Sequence, residues 1–400
     1  MKISLVSLNS NLISSENQTS VIRFLTKKLY EIGENISLIS YFDNSIDKLK
    51  SIFAENYDVI FLIGTMYPIY NHNIKDNLSR IFGEKLETNG NCSNYLNTYC
   101  STYNIPFSIQ EDMEVKLPTN SIPLCDKDHY NNGFMYKFGN TYVIYFPDDL
   151  QFAQKNYFNY VLPLLKDLVS INKEYQVIKC FGILEKDIKA LISDYFAVPN
   201  LTITIVSSDL DNAVYLRYES NCNNLSQIQD AIADIISKLN KFIYSLEDIS
   251  LYDMAIELLK VQNKKVTLGE TLTFGNITQK LASIDSDRIQ SSSIFLNFND
   301  MASDLKIENE TIKTYGKYSV NTIYECANSL LENKSGEIVL FVLGESTQIN
   351  GICYVAVGDI DGIHVYKNKI NVSDNVCENL SKTAIFYLIK KLKQNDLHFM

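Results

Sequence analysis

The chain opens with short apolar runs alternating with amphipathic stretches. "KISLVSL" has the pattern of a strand. Residues 19–33, "TSVIRFLTKKLYEIG", set Val21, Ile22, Leu25, Leu29 and Ile32 on one helical face, and Gly33 stops the helix. "NISLISYFD" predicts a second strand, "SIDKLKSIFAENY" a second helix, and "DVIFLIG" (58–64) a continuously apolar strand. An apolar strand between helices belongs to a sheet covered on both faces. This β-α-β-α-β order predicts a doubly wound α/β domain. After Gly64 the chain turns through Pro68, and a helix is expected near Lys75. "TYVIYFP" (141–147) predicts another buried strand, and "FNYVLPLLKDLV" a helix that closes the unit near residue 170.

The pattern then changes. "YQVIKCFGI" predicts a strand, "LEKDIKALISDYF" a helix, "LTITIVSS" and "NAVYLRYES" two strands, and "LSQIQDAIADIISKLNKFI" a long helix. That order suits a small α+β module. A third segment begins with the amphipathic helix "EDISLYDMAIELLKVQNK". It continues through "KVTLGETLTFGNITQKL" (265–281), which reads as a strand, a tight turn and a helix start. Helices near 273–283 and 319–332 precede the strand "GEIVLFVLG" (336–344), a hairpin follows, and a closing helix ends this α/β segment. The predicted domains are 1–170, 171–246 and 247–400.

Composition adds exclusions. The chain is 46% hydrophobic and 21% charged, ordinary for a globular protein. No apolar run approaches the roughly eighteen residues of a membrane span, and the N-terminus has no signal-peptide pattern, so a cytoplasmic location without membrane association is expected. The net charge of −11 repels a phosphate backbone, and no dense basic cluster offsets it, so no nucleic-acid partner is expected. The eight cysteines form no C-x-x-C pair and there are four histidines, which excludes zinc spacing; the thiols are expected reduced and mostly buried.

The order of the three parts resembles the CinA family, the competence/damage-inducible protein A. The likeness runs through "DVIFLIGTMYPIYNHNIKDNLSRIFGEKL", "NNGFMYKFGNTYVIYFPDDL", "IKCFGILEKDI" and "TIKTYGKYSVNTIYECANSLL", and it places the 265–281 stretch on the family's A-E-S-C-T-G-G. The resemblance implies a molybdopterin-biosynthesis-type N-terminal domain, a small α+β middle module and a C-terminal nicotinamide-nucleotide amidohydrolase-like domain. It also implies roles in pyridine-nucleotide salvage, a nucleotide ligand, a divalent metal in the N-terminal domain and a homodimer.

The framework is kept better than the chemistry. Gly64 and Pro68 remain from the family's first glycine-rich turn, but Thr65 and Tyr67 replace glycines that let main-chain amides approach a phosphate. The family's acidic pair becomes Asn71 and His72, poor ligands for a hard cation, so no metal site is expected. The L-P-G-P-P loop becomes Phe146, Pro147, Asp148, Asp149 and Leu150, putting two exposed acids where a phosphate would rest; Asp148, Asp149 and His72 together are an alternative metal set. The family's early acidic residue is Asn11 here.

In the C-terminal part Thr271 stands at the family's nucleophilic serine. The tyrosine and lysine implied as its activators become Leu296 and Met301 in "SSSIFLNFNDM" (291–301), and Leu343 replaces the threonine of the family's T-G-I-A-G-P turn in "LGESTQING". A threonine hydroxyl without a base attacks poorly at neutral pH. Two readings follow. In one, Glu270 and Thr273 cap a helix, Gly275 and Gly344 make turns, and Glu270, Thr273, Gly275, Gly344, Gly64, Pro68, Asn71 and His72 border surviving ligand sites on an impaired scaffold. In the other, Thr271 drives a divergent amidohydrolase, with Lys306 or Tyr315 compensating, or the N-terminal domain acts as an ADP-ribose pyrophosphatase.

Overall fold

The computed structural model describes residues 1–8, 16–42, 45–65, 67–106, 108–168, 173–208, 210–334, 337–344, 351–369 and 376–396. Asn11 and residues 345–350 of "LGESTQING" lie outside these. The fold is mixed α/β with several sheets. The chain divides into two compact units, residues 1–175 with 219–221, and residues 176–218 with 222–400.

In the first unit the strands β1 (Ile3–Ser7), β2 (Ile36–Tyr41), β3 (Val59–Ile63), β6 (Ile122–Leu124), β7 (Gly133–Phe138) and β8 (Thr141–Phe146) form a six-stranded sheet ordered β2-β1-β3-β8-β7-β6. The two other strands, β4 (Leu86–Thr88) and β5 (Lys116–Pro118), pair with each other. β2, β1, β3 and β8 run parallel, with Ile3 opposite Val59 and Val59 opposite Tyr142. The continuous apolar run has the expected consequence. Val59, Phe61 and Ile63 enter one core, Ile60 and Leu62 another, because successive strand side chains point to opposite faces.

Val21, Leu25 and Leu29 are buried on the helix Glu16–Glu31, and Gly33 follows at φ 80°, the left-handed geometry of a helix stop. The helix expected near Lys75 starts earlier and spans Pro68–Phe82, because proline is pre-set for the first helical turn. The helix after Leu150 passes through a π turn at Tyr157–Val161. Pro163 follows, with no N–H for a regular bond back to residue 159. The helix Gly90–Thr102 was not announced by apolar periodicity, since only Cys92, Leu96 and Cys100 of its polar sequence are buried.

In the second unit a four-stranded sheet, ordered β10-β11-β9-β12, comprises β9 (Lys173–Phe181), β10 (Leu201–Ser208), β11 (Asp211–Glu219) and β12 (Ile243–Ser245). A five-stranded sheet, ordered β14-β13-β15-β16-β17, comprises β13 (Val266–Glu270), β14 (Ile289–Ile294), β15 (Ile338–Leu343), β16 (Ile352–Asp359) and β17 (Gly362–Lys369). β14, β13 and β15 are parallel, whereas β16 and β17 close the edge as an antiparallel hairpin. β15 again feeds two cores, Ile338, Leu340 and Val342 into one and Val339, Phe341 and Leu343 into the other. The helices Leu251–Val261 and Val376–Asp396 pack on the first of these faces, and Val320–Lys334 on the second.

Candidate functional site

The C-terminal candidate grows from the end of β13. Gly269 is required there, because a Cβ would lie 2.2 Å from the Phe341 ring. Glu270 follows and is fully buried. Its carboxylate accepts from the Thr273 hydroxyl at 2.7 Å, the main-chain amides of Gly275, Ile277 and Thr278 at 3.1, 3.2 and 2.9 Å, and the Thr278 hydroxyl at 2.6 Å. The first turn of the helix Asn276–Asp285 therefore finds its acceptors on the preceding strand. A carboxylate at a helix N-terminus also opposes the positive end of the helix dipole.

Thr273 does not itself cap an amide. Its hydroxyl donates to Glu270, and its carbonyl accepts from Asn276 N at 2.8 Å and Cys377 Sγ at 3.2 Å. Between them Phe274 and Gly275 take φ values of 47° and 84°. Glycine adopts that left-handed region freely; phenylalanine does so at a cost of about 1–2 kcal/mol. Phe274 stands where the family pattern has its first glycine of the pair, and it is 55% exposed on the rim of the cleft described next.

The Thr271 hydroxyl is engaged by the main chain. It donates to the Val342 carbonyl at 3.0 Å and accepts from the Gly344 amide at 3.1 Å, with the Gly344 carbonyl at 3.4 Å. Among the described residues its hydrogen-bond partners include no lysine, histidine or carboxylate. Gly344 is held by close approach, since a Cβ there would lie 2.3 Å from Leu272.

A cleft of about 360 Å³ opens beside Thr271. Its walls include Phe274, Leu296, Met301, Lys317 and Tyr318. Leu296 is an 80% exposed rim residue, whereas Met301 is fully buried, so the positions of the implied activators are apolar both at the mouth and within.

Lys306 and Tyr315 do not line this cleft; Lys317 and Tyr318 do. The Lys317 ammonium lies 5.4 Å from the centre of the Phe298 ring, and the Tyr318 ring meets Phe298 edge-on. Their signal was present in the sequence. "YGKYS" places a lysine and a tyrosine where the family pattern Y-G-A-V-S has two small apolar residues.

The first unit's candidate turn follows β3. Gly64 is pressed against the Tyr145 phenol, whose oxygen lies 2.1 Å from where a Cβ would be. Asn71 is fully buried, and its carbonyl oxygen accepts from Thr65 N at 2.9 Å and the Tyr145 hydroxyl at 2.8 Å. Burial pushes the Tyr145 phenol well above its ordinary value, which keeps it a donor. Pro68 opens the helix that carries Asn71 and His72. His72 is half-buried, with Nδ1 out of reach of any partner among the described residues.

The aspartates are not the exposed pair that the sequence suggested. Asp148 is 1% exposed, and Asp149 caps the helix Leu150–Asn156 by accepting from Phe152 N at 3.0 Å. The divalent metal implied by the resemblance does not fit these residues. The Asn71 oxygen is already occupied by the Thr65 amide and hydroxyl and the Tyr145 hydroxyl, and among the described residues no three His, Cys, Asp or Glu side chains gather to hold a metal ion.

Further into the same helix, Lys75 and Glu114 form a fully buried ion pair at 2.9 Å. Lys75 Nζ also donates to the Glu114 carbonyl at 2.8 Å, and Asn132 N donates to Glu114 Oε1 at 2.6 Å. Burial pushes the Glu114 carboxyl up and the Lys75 charge opposes that. All eight cysteines are free thiols. Burial raises Cys180 and Cys326 to about 12 and Cys353 to about 11, which makes them inert packing groups. Among the described residues no helix is long and apolar enough to cross a membrane.

No family model matches the chain. It is similar over nearly its whole length to proteins called putative competence-damage inducible protein. The one from Acetivibrio thermocellus is 21% identical over 407 residues, covering 98% of both chains. The one from Clostridium botulinum is 22% identical over 414 residues, covering 98% of this chain and 100% of the relative. A solved CinA-superfamily protein from Klebsiella pneumoniae is 17% identical and matches 36% of this chain and 96% of its own, with a TM-score of 0.34. Matched nearly end to end by relatives of that name, the chain is similar over its length to the competence/damage-inducible protein (CinA) family.

Proposed function

We propose that this protein is a CinA-family nucleotide-binding protein that has lost amide hydrolysis in its C-terminal domain. The observation that carries this reading is the Thr271 hydroxyl, whose proton goes to the Val342 carbonyl and whose lone pair takes the Gly344 amide. A nucleophile needs a base for its proton, and a tetrahedral intermediate needs free donors for its oxygen. Here the proton acceptor is a peptide carbonyl, far too weak a base. The Gly344 amide is engaged by Thr271, and the Gly275, Ile277 and Thr278 amides by Glu270.

The cleft itself remains, with Lys317 as a cation and Phe274 and Phe298 as ring surfaces. Those groups suit a phosphate and a pyridine ring, the chemistry of a nicotinamide mononucleotide. The reading places this site on a CinA C-terminal domain at 247–400, after a molybdopterin-biosynthesis-type domain at 1–170 and a small α+β module at 171–246. It includes a cytoplasmic homodimer. A thermal-shift titration with nicotinamide mononucleotide tests it. The melting temperature rises with ligand concentration in the parent and much less in Lys317→Met. No shift in the parent removes the ligand assignment.

A second reading, a slow divergent amidohydrolase, is favoured by one observation: Lys317 and Tyr318 line the same cleft as Thr271. It requires the Thr271 hydroxyl to leave its main-chain partners and reach one of them. Turnover of nicotinamide mononucleotide that disappears in both Thr271→Val and Lys317→Met would establish it.

A further inference from the structure

A larger cleft, of about 690 Å³, lies in the second unit, away from Thr271. One wall comes from the end of β9 and the 3₁₀ turn Asn240–Phe242, the other from β17 and the helix Val376–Asp396. Its lining includes three lysines, Lys241, Lys369 and Lys390, and no acidic residue. That composition is unusual in a chain with 47 acidic and 36 basic residues.

The lysines of the closing helix show the contrast most closely. Lys382 pairs with Asp211 at 3.7 Å, Lys391 pairs with Asp359 at 2.9 Å, and Lys393 donates to the Tyr244 carbonyl at 2.9 Å. Lys390 has no carboxylate partner among the described residues. Its ammonium lies over the Phe386 ring at 4.5 Å, and burial pushes its pKa down. Lys241 lies over the Phe242 ring at 4.8 Å and likewise has no ion partner among the described residues. Asp187 lines an adjoining groove that shares Lys241 and Phe242, and it forms no ion pair with Lys241.

Lys241, Lys369 and Lys390 form no ion pair among the described residues, and three such ammonium groups around one concavity create a positive potential that a mobile anion would neutralise. Val376 and Asn379 bring the N-terminal turn of a 21-residue helix to the same wall, and its dipole adds in the same direction. Phe242 and Tyr387 add aromatic rings to the lining, and Asn379 and Thr383 supply amide and hydroxyl groups. The volume falls within the usual range for small-molecule sites, roughly 300–1,000 Å³. Lysines bind phosphate as point charges, and aromatic faces take a flat ring.

We infer that this cleft is a second ligand site, distinct from the one beside Thr271, for a phosphorylated small molecule bearing an aromatic ring and of about mononucleotide size. The ligand is a small solute rather than a nucleic-acid strand, because the cations converge on one pocket instead of tracking a groove.

Isothermal titration of the full chain tests this with adenosine monophosphate, nicotinamide mononucleotide and pyridoxal phosphate as probes, and with adenosine and inorganic phosphate as part-ligands. Lys390→Met and Lys241→Gln are compared with the parent and with Lys186→Gln, an exposed lysine outside the cleft that matches the change in net charge. Circular dichroism melts confirm that each variant is folded. At least one phosphorylated probe is expected to bind tenfold or more tightly than either part-ligand. That affinity is expected to fall at least tenfold in Lys390→Met and several-fold in Lys241→Gln, and to hold in Lys186→Gln. Absence of binding by all three probes at millimolar concentration overturns the proposal. So does binding that Lys390→Met leaves unchanged, and so does inorganic phosphate binding as tightly as every ring-bearing probe.

Discussion

After β3, an uncharged amide, Asn71, gathers the Thr65 N–H and the Tyr145 hydroxyl. After β13, a carboxylate, Glu270, gathers three main-chain amides and two hydroxyls. Both side chains quiet the polar groups that a strand end would otherwise offer to a ligand. They differ in what they draw inward. Asn71 draws a bulky phenol, and Tyr145 then fills the space over Gly64. Glu270 draws the start of a helix, and the next residue, Thr271, is left beside an open cleft. An uncharged acceptor has consumed a turn, whereas a charged one has ordered it and kept its neighbouring space. The retained family residues are thus explained by packing in the first unit and by helix capping in the second.

Perturbing the polar group under each turn should separate the two regions. The largest effect is expected from Glu114→Gln, which leaves the buried Lys75 ammonium without a counter-charge and costs about 3–5 kcal/mol. Hydrogen exchange should show the loss in residues 1–175 while the second unit keeps its protection; uniform loss would mean that the two units unfold together. Glu270→Ala comes next, at about 3 kcal/mol by denaturant melts, because the amides of Gly275, Ile277 and Thr278 lose their acceptor inside the protein. Exchange should then rise first at the start of the helix Asn276–Asp285.

Gly64→Ala should cost about 2 kcal/mol by overpacking against the Tyr145 oxygen. Its cost should shrink in a Tyr145→Phe background, a coupling that a double-mutant cycle measures. Equal costs in the two backgrounds would show that Tyr145 is not what holds Gly64. The smallest change is a gain. Phe274→Asn suits the left-handed φ of 47° and should stabilise the protein by about 0.5–1 kcal/mol. A loss instead would mean that the Phe274 ring packs more than its 55% exposure implies.

The apolar runs were legible because each strand and helix carries its own periodicity. Val59–Ile63 and Ile338–Leu343 announced two-faced sheets through five or six consecutive buried residues. The helix Gly90–Thr102 did not announce itself, since it buries two cysteines and one leucine in a polar sequence. Asp148 and Asp149 were misread because loop position says nothing of burial; one is buried and the other caps a helix. At Thr271 the missing activators were visible as Leu296 and Met301. Lys317 and Tyr318 stood out in "YGKYS", but their place beside Thr271 did not, because they arrive from a different part of the chain. Only the fold brings those stretches together. The cleft around Lys390 was equally hidden, since its three lysines are separated by long stretches of sequence.

The most direct test is ammonia release from nicotinamide mononucleotide at protein concentrations comparable to the substrate, for the parent and Thr271→Val side by side. With the Thr271 hydroxyl held by Val342 and Gly344, both proteins should release no more ammonia than buffer alone. Release by the parent that vanishes in Thr271→Val would contradict the account, for it would make that hydroxyl a nucleophile.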